Sequence, residues 1–385
     1  MKKTILFLFA LGLVFAGCFA EPVESAPTTV PTAETTQPTT LPPETTVFQE
    51  TYTAPMLSLS APAVTQTLSE GGKTLLSFTT QTMELITEDP QISEAVTLDL
   101  WNLTDFEATS GPKLLNQAKE AALGDSWVPY SLQLFFSPAR LDRSVLSLVS
   151  TQVVSDGSPK ATVNTGSVTY DLLAGRPLQL KDVLVADYSA QALSDLIVGA
   201  LSEEAKAGVL YSDYAYVISE LFSSNTPVKS WYLSEAGLCF YFAPYEIAPY
   251  NMGFVTATVP YSALTGLLRE EYFPDEEILL KGTVLCRESQ EALDGFTQFR
   301  ELIMDPAGEE WLLHTDGAVE DLRLESGSFE GDTFLPEATV FACATLCQGD
   351  AVILQATERQ LEGLRLTYRS QGERVQLLLS QLPVS

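Results

Sequence analysis

One stretch of the chain, residues 240–264, restricts its fold more than any other. It reads Phe-Tyr-Phe-Ala-Pro-Tyr-Glu-Ile-Ala-Pro-Tyr-Asn-Met-Gly-Phe-Val-Thr-Ala-Thr-Val-Pro-Tyr-Ser-Ala-Leu. The apolar run before Pro244 predicts a strand, the segment up to Gly253 a turn, and the alternation over 254–259 a second strand. Pro260 is then placed to open a short helix. The pattern is typical of two strands joined by a stiff loop.

The predicted loop is rich in rigid side chains and is the candidate ligand-binding element: Tyr245, Glu246, Ile247, Pro249 and Tyr250. Tyrosine offers a large amphipathic contact area at a low entropic cost, and proline orders a loop before a ligand arrives. The residues are equally compatible with a purely structural role. In that case the two tyrosines would close the edge of the sheet and Glu246 would cap a neighbouring backbone group.

The first residues predict export. Lys2 and Lys3 precede an apolar run from Thr4 to Phe15, which is too short to span a membrane. Small residues then lead to Cys18, as in a bacterial lipobox, so residues 1–18 are predicted to be a lipoprotein signal peptide with lipid attached to Cys18. The alternative is an ordinary signal peptide cut nearby. Lipidation would place the protein on the outer face of the cytoplasmic membrane of a Gram-positive-type bacterium.

Residues 19–55 have the composition of a disordered linker. Threonine, proline and glutamate dominate, and no lysine or arginine occurs between Lys3 and Lys73. Such a segment has too little apolar surface to offset the entropy of folding. At about 3 Å per residue, a proline-rich chain of this length reaches roughly 100 Å when stretched. We therefore expect a spacer between the membrane and the folded part.

The charge balance restricts the partners. The chain has 50 acidic and 21 basic residues and a formal net charge of -29. This charge argues against nucleic acid, other polyanions and anionic lipid surfaces as partners. It favours a cationic partner, or it simply keeps a surface protein soluble.

The order of predicted elements indicates an α+β fold. We expect a central sheet with two helices packed on one face, followed by a small all-β C-terminal domain, a sandwich or a barrel. The acidic run after residue 270 separates an α+β binding module at 56–270 from a β-rich domain at 271–385 whose role the residues do not indicate. The expected helices lie near 93–103, 112–123, 189–201 and 212–221, and strands occupy most of the remainder.

Two motifs resemble a known family. The first runs from Tyr170 to Leu184 as Tyr-Asp-Leu-x-x-Gly-x-x-Leu-x-Leu-x-Asp-x-Leu, and the second from Phe242 to Gly253 as Phe-x-Pro-Tyr-Glu-Ile-Ala-Pro-Tyr-x-x-Gly. Together they resemble an extracytoplasmic α+β domain family that occurs in the lysozyme-sensing anti-sigma-V factor, in some peptidoglycan deacetylases and in surface lipoproteins. The resemblance covers residues 140–265, and residues 56–140 resemble, in a degenerate form, a companion module of that family.

The resemblance implies a binding function, with lysozyme or cell-wall material as the ligand and the loop at 245–250 as the contact. The turn at 155–159, which includes Ser158 and Pro159, would be its neighbour. Family members often carry a Gly-Gly-Ala-His-like sequence in that turn, and here it has no histidine.

Catalytic and metal-binding groups are not expected. The chain has one histidine, His314, whereas a deacetylase or zinc site needs several histidines or paired C-x-x-C motifs. The function predicted is therefore a non-enzymatic surface lipoprotein that uses no cofactor. Two alternatives stay open: an enzyme or accessory protein of peptidoglycan modification, and an assembly module that uses its C-terminal β-domain.

The positions of the cysteines do not identify a disulfide pair. Cys343 and Cys347 lie on one predicted strand, roughly 13 Å apart, which is too far for a bond between them. A bridge from Cys286 to one of these two is an alternative to free buried thiols. The fourth cysteine after Cys18 is Cys239.

Overall fold

The computed structural model of the chain describes residues 54–124, 127–223, 227–275, 281–287, 302–304, 310–314, 318–330, 333–347, 349–355, 363–370 and 372–378. All of them belong to one compact unit, Phe48–Ser385. The predicted signal peptide with Cys18, and the predicted linker apart from Ala54 and Pro55, lie outside the described residues.

The first part of the fold combines four strands with two helices, as the sequence predicts. Asp89 caps the first helix by accepting a hydrogen bond from Gln91 N, and Pro90 occupies a first-turn position, where no N–H is needed. The elements are β1 (Met56–Ser60), β2 (Ala63–Glu70), β3 (Lys73–Thr80), β4 (Met83–Ile86), α1 (Pro90–Thr104) and α2 (Gly111–Ala121).

A four-stranded antiparallel meander follows and, together with β2 and β3, forms a large six-stranded sheet. Its strands are β5 (Tyr130–Leu141), β6 (Val145–Ser155), β7 (Thr162–Asp171) and the short β8 (Arg176–Pro177). The sheet order is β2-β3-β5-β6-β7-β8. Only the β3–β5 pair is parallel, and the segment from β4 to α2 provides the crossover that a parallel pair requires.

The next elements form the part of the fold that carries the predicted loop. They are α3 (Leu180–Val183), α4 (Ala190–Ala200), α5 (Ser202–Lys206), α6 (Tyr214–Ser223), β9 (Trp231–Leu233), β10 (Gly237–Phe242) and β11 (Val255–Pro260). The three strands form an antiparallel sheet in the order β11-β10-β9. Leu193, Ile197 and Leu201 are fully buried in the core between this sheet and the helices. The two predicted helices at 189–201 and 212–221 are therefore confirmed.

The small sheet is joined to the larger one by hydroxyl groups at its β9 edge. Ser167 Oγ donates to Trp231 O at 2.6 Å, and Leu233 N donates to Ser147 Oγ at 3.2 Å. Ser147 Oγ also lies 2.8 Å from Thr169 Oγ1. Backbone groups that an edge strand would leave unpaired are therefore satisfied by side chains of β6 and β7.

Within its described residues, the C-terminal region contains strands and no helix, as expected. Its strands are β12 (Thr283–Arg287), β13 (Leu302–Met304), β14 (Glu310–His314), β15 (Val319–Glu330), β16 (Thr333–Leu346), β17 (Ala351–Gln355), β18 (Leu364–Ser370) and β19 (Glu373–Leu378). Four of them form an antiparallel sheet in the order β16-β15-β18-β19. The predicted α+β fold class is confirmed.

The other C-terminal strands share a sheet with the beginning of the fold, which the sequence did not indicate. The order is β13-β14-β17-β12-β1-β4, and β1 runs parallel to β12 with Met56 opposite Thr283. Just before β1, Ala54 N donates to Val340 O at 3.2 Å and Pro55 O accepts from Thr283 N at 3.0 Å. Strand pairing thus runs across the boundary predicted near residue 270.

Cys239 and Cys347 have free thiols, and Cys343 Sγ donates to Thr345 O at 3.0 Å. The Cys286 side chain lies outside the described part of the structure. Within the described ranges, no helix has both the length and the apolar character needed to cross a membrane.

Candidate functional site

The loop between β10 and β11 is held in shape by its own backbone. Tyr245 N donates to Ala248 O at 2.9 Å, and Glu246 N donates to Ala243 O at 3.0 Å. The Glu246 carboxylate closes the same turn by accepting from Ala243 N at 2.8 Å. The capping role considered for Glu246 is thus present.

Two buried side chains fix the loop to the body of the protein. Ile247 and Ala248 have almost no exposed surface and belong to the core beneath the small sheet. Ile247 O also accepts a hydrogen bond from Tyr211 N at 2.9 Å, which connects the loop to the segment before α6. Ile247, predicted as part of the ligand-binding loop, therefore lies where it anchors the loop and does not face solvent.

The two tyrosines lie on the outside of this anchored turn. The Tyr245 side chain is 67% exposed and that of Tyr250 is 53% exposed. Their rings stack on each other, with centroids 5.6 Å apart and ring planes inclined by 30°. Met252 extends the exposed apolar surface. We call Tyr245 and Tyr250 the tyrosine ledge; neither ring is buried against the edge of the sheet.

The backbone at Tyr245 has a conformation that L-residues rarely adopt, with φ at +73°. For a bulky residue this conformation is costly and persists only where surrounding contacts impose it. Here the bonds from Tyr245 N and Glu246 impose it. The consequence is a ring directed outward beside Tyr250.

The turn at 155–159 is exposed at the end of the β6–β7 hairpin. Asp156 Oδ1 accepts from Ser158 N at 3.1 Å, and this contact with Ser158 lowers the pKa of Asp156. Pro159 is exposed as well. Among the described residues, no hydrogen bond or ring contact joins this turn to the tyrosine ledge, so its role as a neighbour stays a prediction.

The matched region encloses the ledge and the elements that hold it. Residues 181–262 match the family described as "Protein of unknown function (DUF3298)". The chain carries a DUF3298 domain. The match extends from α3 to the end of β11 and contains the whole loop.

Solved structures of DUF3298 proteins are also similar to this chain. One is a family member from Bacteroides fragilis, with 18% identity and a TM-score of 0.39, covering 55% of this chain and 92% of its own. Another is a family protein from Pseudomonas aeruginosa PAO1, with 16% identity and a TM-score of 0.37, covering 56% of this chain and 94% of its own. No curated protein matches the sequence. At these identities neither structure assigns a role to a residue of this DUF3298 domain.

A cleft of about 380 Å³ lies away from the ledge, beside the β5–β6 turn and the chain after the DUF3298 domain. Four of the nine residues that line it are acidic: Asp142, Arg143, Ser144, Leu173, Glu270, Glu271, Phe273, Pro274 and Asp275. Asp142 is committed to structure, because Oδ2 pairs with Arg140 and Oδ1 accepts from Ser144 N and Val145 N. Among the described residues, no cluster of His, Cys, Asp or Glu is suited to a metal ion.

A buried polar network lies at the other end of the small sheet, and sequence reasoning missed it. Arg140 donates from Nε to Asp142 Oδ2 at 2.6 Å, and from Nη1 to Tyr261 Oη at 2.7 Å and to Tyr272 O at 2.6 Å. Tyr261 Oη in turn donates to Ser234 O at 2.7 Å. The Arg-x-Asp spacing at the end of β5 was the available local signal, but the partners lie far along the chain.

We call Arg140, Asp142, Glu235, Tyr261 and Lys281 the Arg140 junction. Burial acts to lower the pKa of Arg140, but the combined effect of Asp142, Tyr261 and Glu235 outweighs it and the pKa is raised. Burial raises the pKa of the Tyr261 hydroxyl, against the opposing effect of Arg140. The junction therefore holds a permanent cation and a neutral phenol, with Arg140 and Asp142 shielded from water.

Proposed function

We propose that this protein is a non-enzymatic lipoprotein of the cell surface, whose DUF3298 domain binds a protein or a cell-wall ligand through the tyrosine ledge. Lysozyme is the named candidate, on the basis of the family resemblance. The observation that carries the proposal is the ledge itself: two stacked, exposed aromatic rings on a loop whose backbone is already fixed.

The ledge has the physical properties of a recognition surface. Exposed tyrosines supply a large contact area with few rotatable bonds, so little entropy is lost when a ligand orders them. The hydrogen bonds of Tyr245 N and Ile247 O, together with the buried Ile247, fix the loop before binding. Binding then has little ordering cost to offset.

Charge supports a cationic partner. The formal net charge of -29 attracts a basic protein and accelerates its association at low salt. Such attraction alone is not specific, since any basic protein experiences it. Specific recognition would depend on the ledge and survive screening by salt.

The test is binding of lysozyme to a soluble form that begins at residue 19, measured at physiological and at high salt. The double variant Tyr245→Ala/Tyr250→Ala removes the ledge, and Phe329→Ala removes another exposed aromatic ring, on β15, as a matched control. Binding that persists at high salt, is lost in the double variant and is retained in the control supports the proposal. Binding that disappears with salt in all three proteins rejects lysozyme as the ligand. Peptidoglycan fragments would then be tested with the same variants.

We also propose that Cys18 anchors the protein to the membrane. Its place after the small residues of the apolar segment supports this assignment. Radiolabelled palmitate incorporated into the natural chain and not into Cys18→Ala is the expected result. Equal labelling of both chains would contradict the anchor without affecting the binding proposal.

A further inference from the structure

Glu235 lies in the turn between β9 and β10, where three segments of the chain meet. Its backbone N donates to Ala139 O at 3.3 Å, next to Arg140. Its Oε2 atom accepts from Lys281 Nζ at 3.3 Å. The Lys281 side chain is only 12% exposed and that of Glu235 is 31% exposed. The ion pair is thus largely shielded from water.

Two polar atoms of the Arg140 junction are buried without a hydrogen-bond partner: Glu235 Oε1 and Arg140 Nη2. A buried carboxylate oxygen without a donor penalises the ionised form of the acid, because water would otherwise solvate it. An isolated oxygen of this kind is rare in folded proteins and calls for an explanation.

The charged and titratable groups near Glu235 belong to each of the chain segments that meet at this turn. Lys281 and Arg140 favour its ionised form, Asp142 opposes it, and Tyr261 is a neutral phenol nearby. Burial is the largest effect and raises the pKa of Glu235 above its ordinary value despite the two cations. The folded protein therefore binds a proton at this site more readily than an opened form does.

The segment that Glu235 contacts leads directly into β12. After Lys281, a Cβ atom added at Gly282 would lie only 2.2 Å from Leu141 O, so the chain passes closely against the end of β5. Thr283 then donates its N–H to Pro55 O and begins the parallel pairing with β1. Movement of Lys281 would release the point where β12 enters its sheet.

We propose that Glu235 is a proton-sensitive latch that holds the start of β12 against the DUF3298 domain, closed more firmly when its carboxyl is protonated than when it is ionised. Opening the latch lets water reach Oε1. The ionised acid gains more from this hydration than the protonated acid does, so ionisation favours opening. Protonation of the carboxylate by solvent reverses the effect.

The direction of the pH dependence follows from proton linkage between the closed and opened states. Because the pKa of Glu235 is raised in the closed state, the stabilisation from protonation is complete below the pKa of the opened state. It is lost as the pH rises through the pKa of the closed state. Each unit between the two pKa values changes the opening equilibrium by roughly tenfold.

The test is native-state hydrogen exchange of the full chain, followed at the Thr283 amide from mildly acidic to neutral pH and corrected for intrinsic exchange rates. The amides of Leu324 and Leu366, which lie opposite each other in the β15–β18 pair, report global unfolding. We expect protection at Thr283 to fall as the pH rises, while protection of the two reference amides changes less.

Three variants decide the interpretation. Glu235→Gln cannot ionise at this position, so protection at Thr283 should no longer change with pH through the ionisation of residue 235. Glu325→Gln removes the carboxylate of another shielded pair, with Arg365, and should behave as the natural chain does. Lys281→Met removes a cation that favours ionisation, so it should move the loss of protection to higher pH. Protection at Thr283 that is constant or increases with pH in the natural chain, or an unchanged pH dependence in Glu235→Gln, would overturn the latch.

Discussion

Arg140 and Tyr261 contact each other in two ways: Arg140 Nη1 donates to Tyr261 Oη at 2.7 Å, and its guanidinium carbon lies 5.4 Å from the centroid of the Tyr261 ring. The pair connects the end of β5 with the residue that follows β11, which are 121 positions apart in the sequence. A fully buried arginine with a partner on each side thus joins the large sheet to the small one.

Replacing Arg140 by Met should therefore destabilise the protein strongly. The change removes the Arg140 donor from Asp142 Oδ2 and from the Tyr272 carbonyl, and breaking a buried ion pair costs about 3–5 kcal/mol. Urea unfolding measures this free energy. Lys119→Met is the control, since its pair with Glu70 is exposed and contributes less than about 1 kcal/mol. Equal losses in the two variants would show that the junction is not a stabilising element.

Mutations should distinguish the buried residue that anchors the loop from the exposed tyrosine ledge. Ile247→Ala leaves a cavity in the core and should lower the free energy of unfolding by about 2–5 kcal/mol. Tyr245→Ala and Tyr250→Ala, at exposed positions, should change it by no more than about 1 kcal/mol, chiefly through the lost ring stacking. Thermal unfolding of the three variants provides the comparison. A large loss at Tyr245 would assign the ring a structural role and weaken the binding proposal.

Replacement by alanine should destabilise the protein at Gly237 and stabilise it at Gly199. A Cβ atom at Gly237 would lie 2.0 Å from Val259 O, at a backbone φ of +156°, so Gly237→Ala must displace β11. We expect a loss of several kcal/mol, of the order seen for overpacked sites. Gly199 lies within α4 with no atom within 4 Å of the added Cβ, and Gly199→Ala should stabilise by about 0.5–1 kcal/mol. Circular dichroism during urea unfolding would record both effects, and destabilisation by Gly199→Ala would contradict the second.

The helices could be predicted from sequence because their signals are local. Leu193 and Ile197 are four positions apart on one face of α4, and both are fully buried. The loop could also be located, since Pro244, Pro249 and Gly253 interrupt two strand patterns. These features depend on neighbours within a few residues.

The sequence could not predict which loop residues face solvent or which distant strands pair. Tyr245 is exposed, yet Ile247 two residues later points into the core, because the left-handed backbone at Tyr245 turns the chain there. The parallel β1–β12 pair and the bond from Arg140 to Tyr272 O join segments that no periodicity connects. Their formation depends on the completed fold.

The shared sheet predicts that β1 is needed for the C-terminal strands to fold. A chain that lacks residues 1–62 loses the parallel partner of β12 and should unfold with reduced cooperativity in urea. A chain that lacks only residues 1–53 keeps Ala54 and β1 and should unfold as the full chain does. Identical transitions in the two truncated chains would indicate that the C-terminal region folds without β1.

The position of β1 also determines how the protein would bear mechanical load. The chain enters the fold at Ala54, and β1 then lies between β12 and β4, bonded to both. A pull on the chain before Ala54 acts along the axis of β1, so the two rows of hydrogen bonds are loaded in shear, together, and do not open one at a time. A protein held at its N-terminal end would thus resist extraction of its first strand from between β12 and β4.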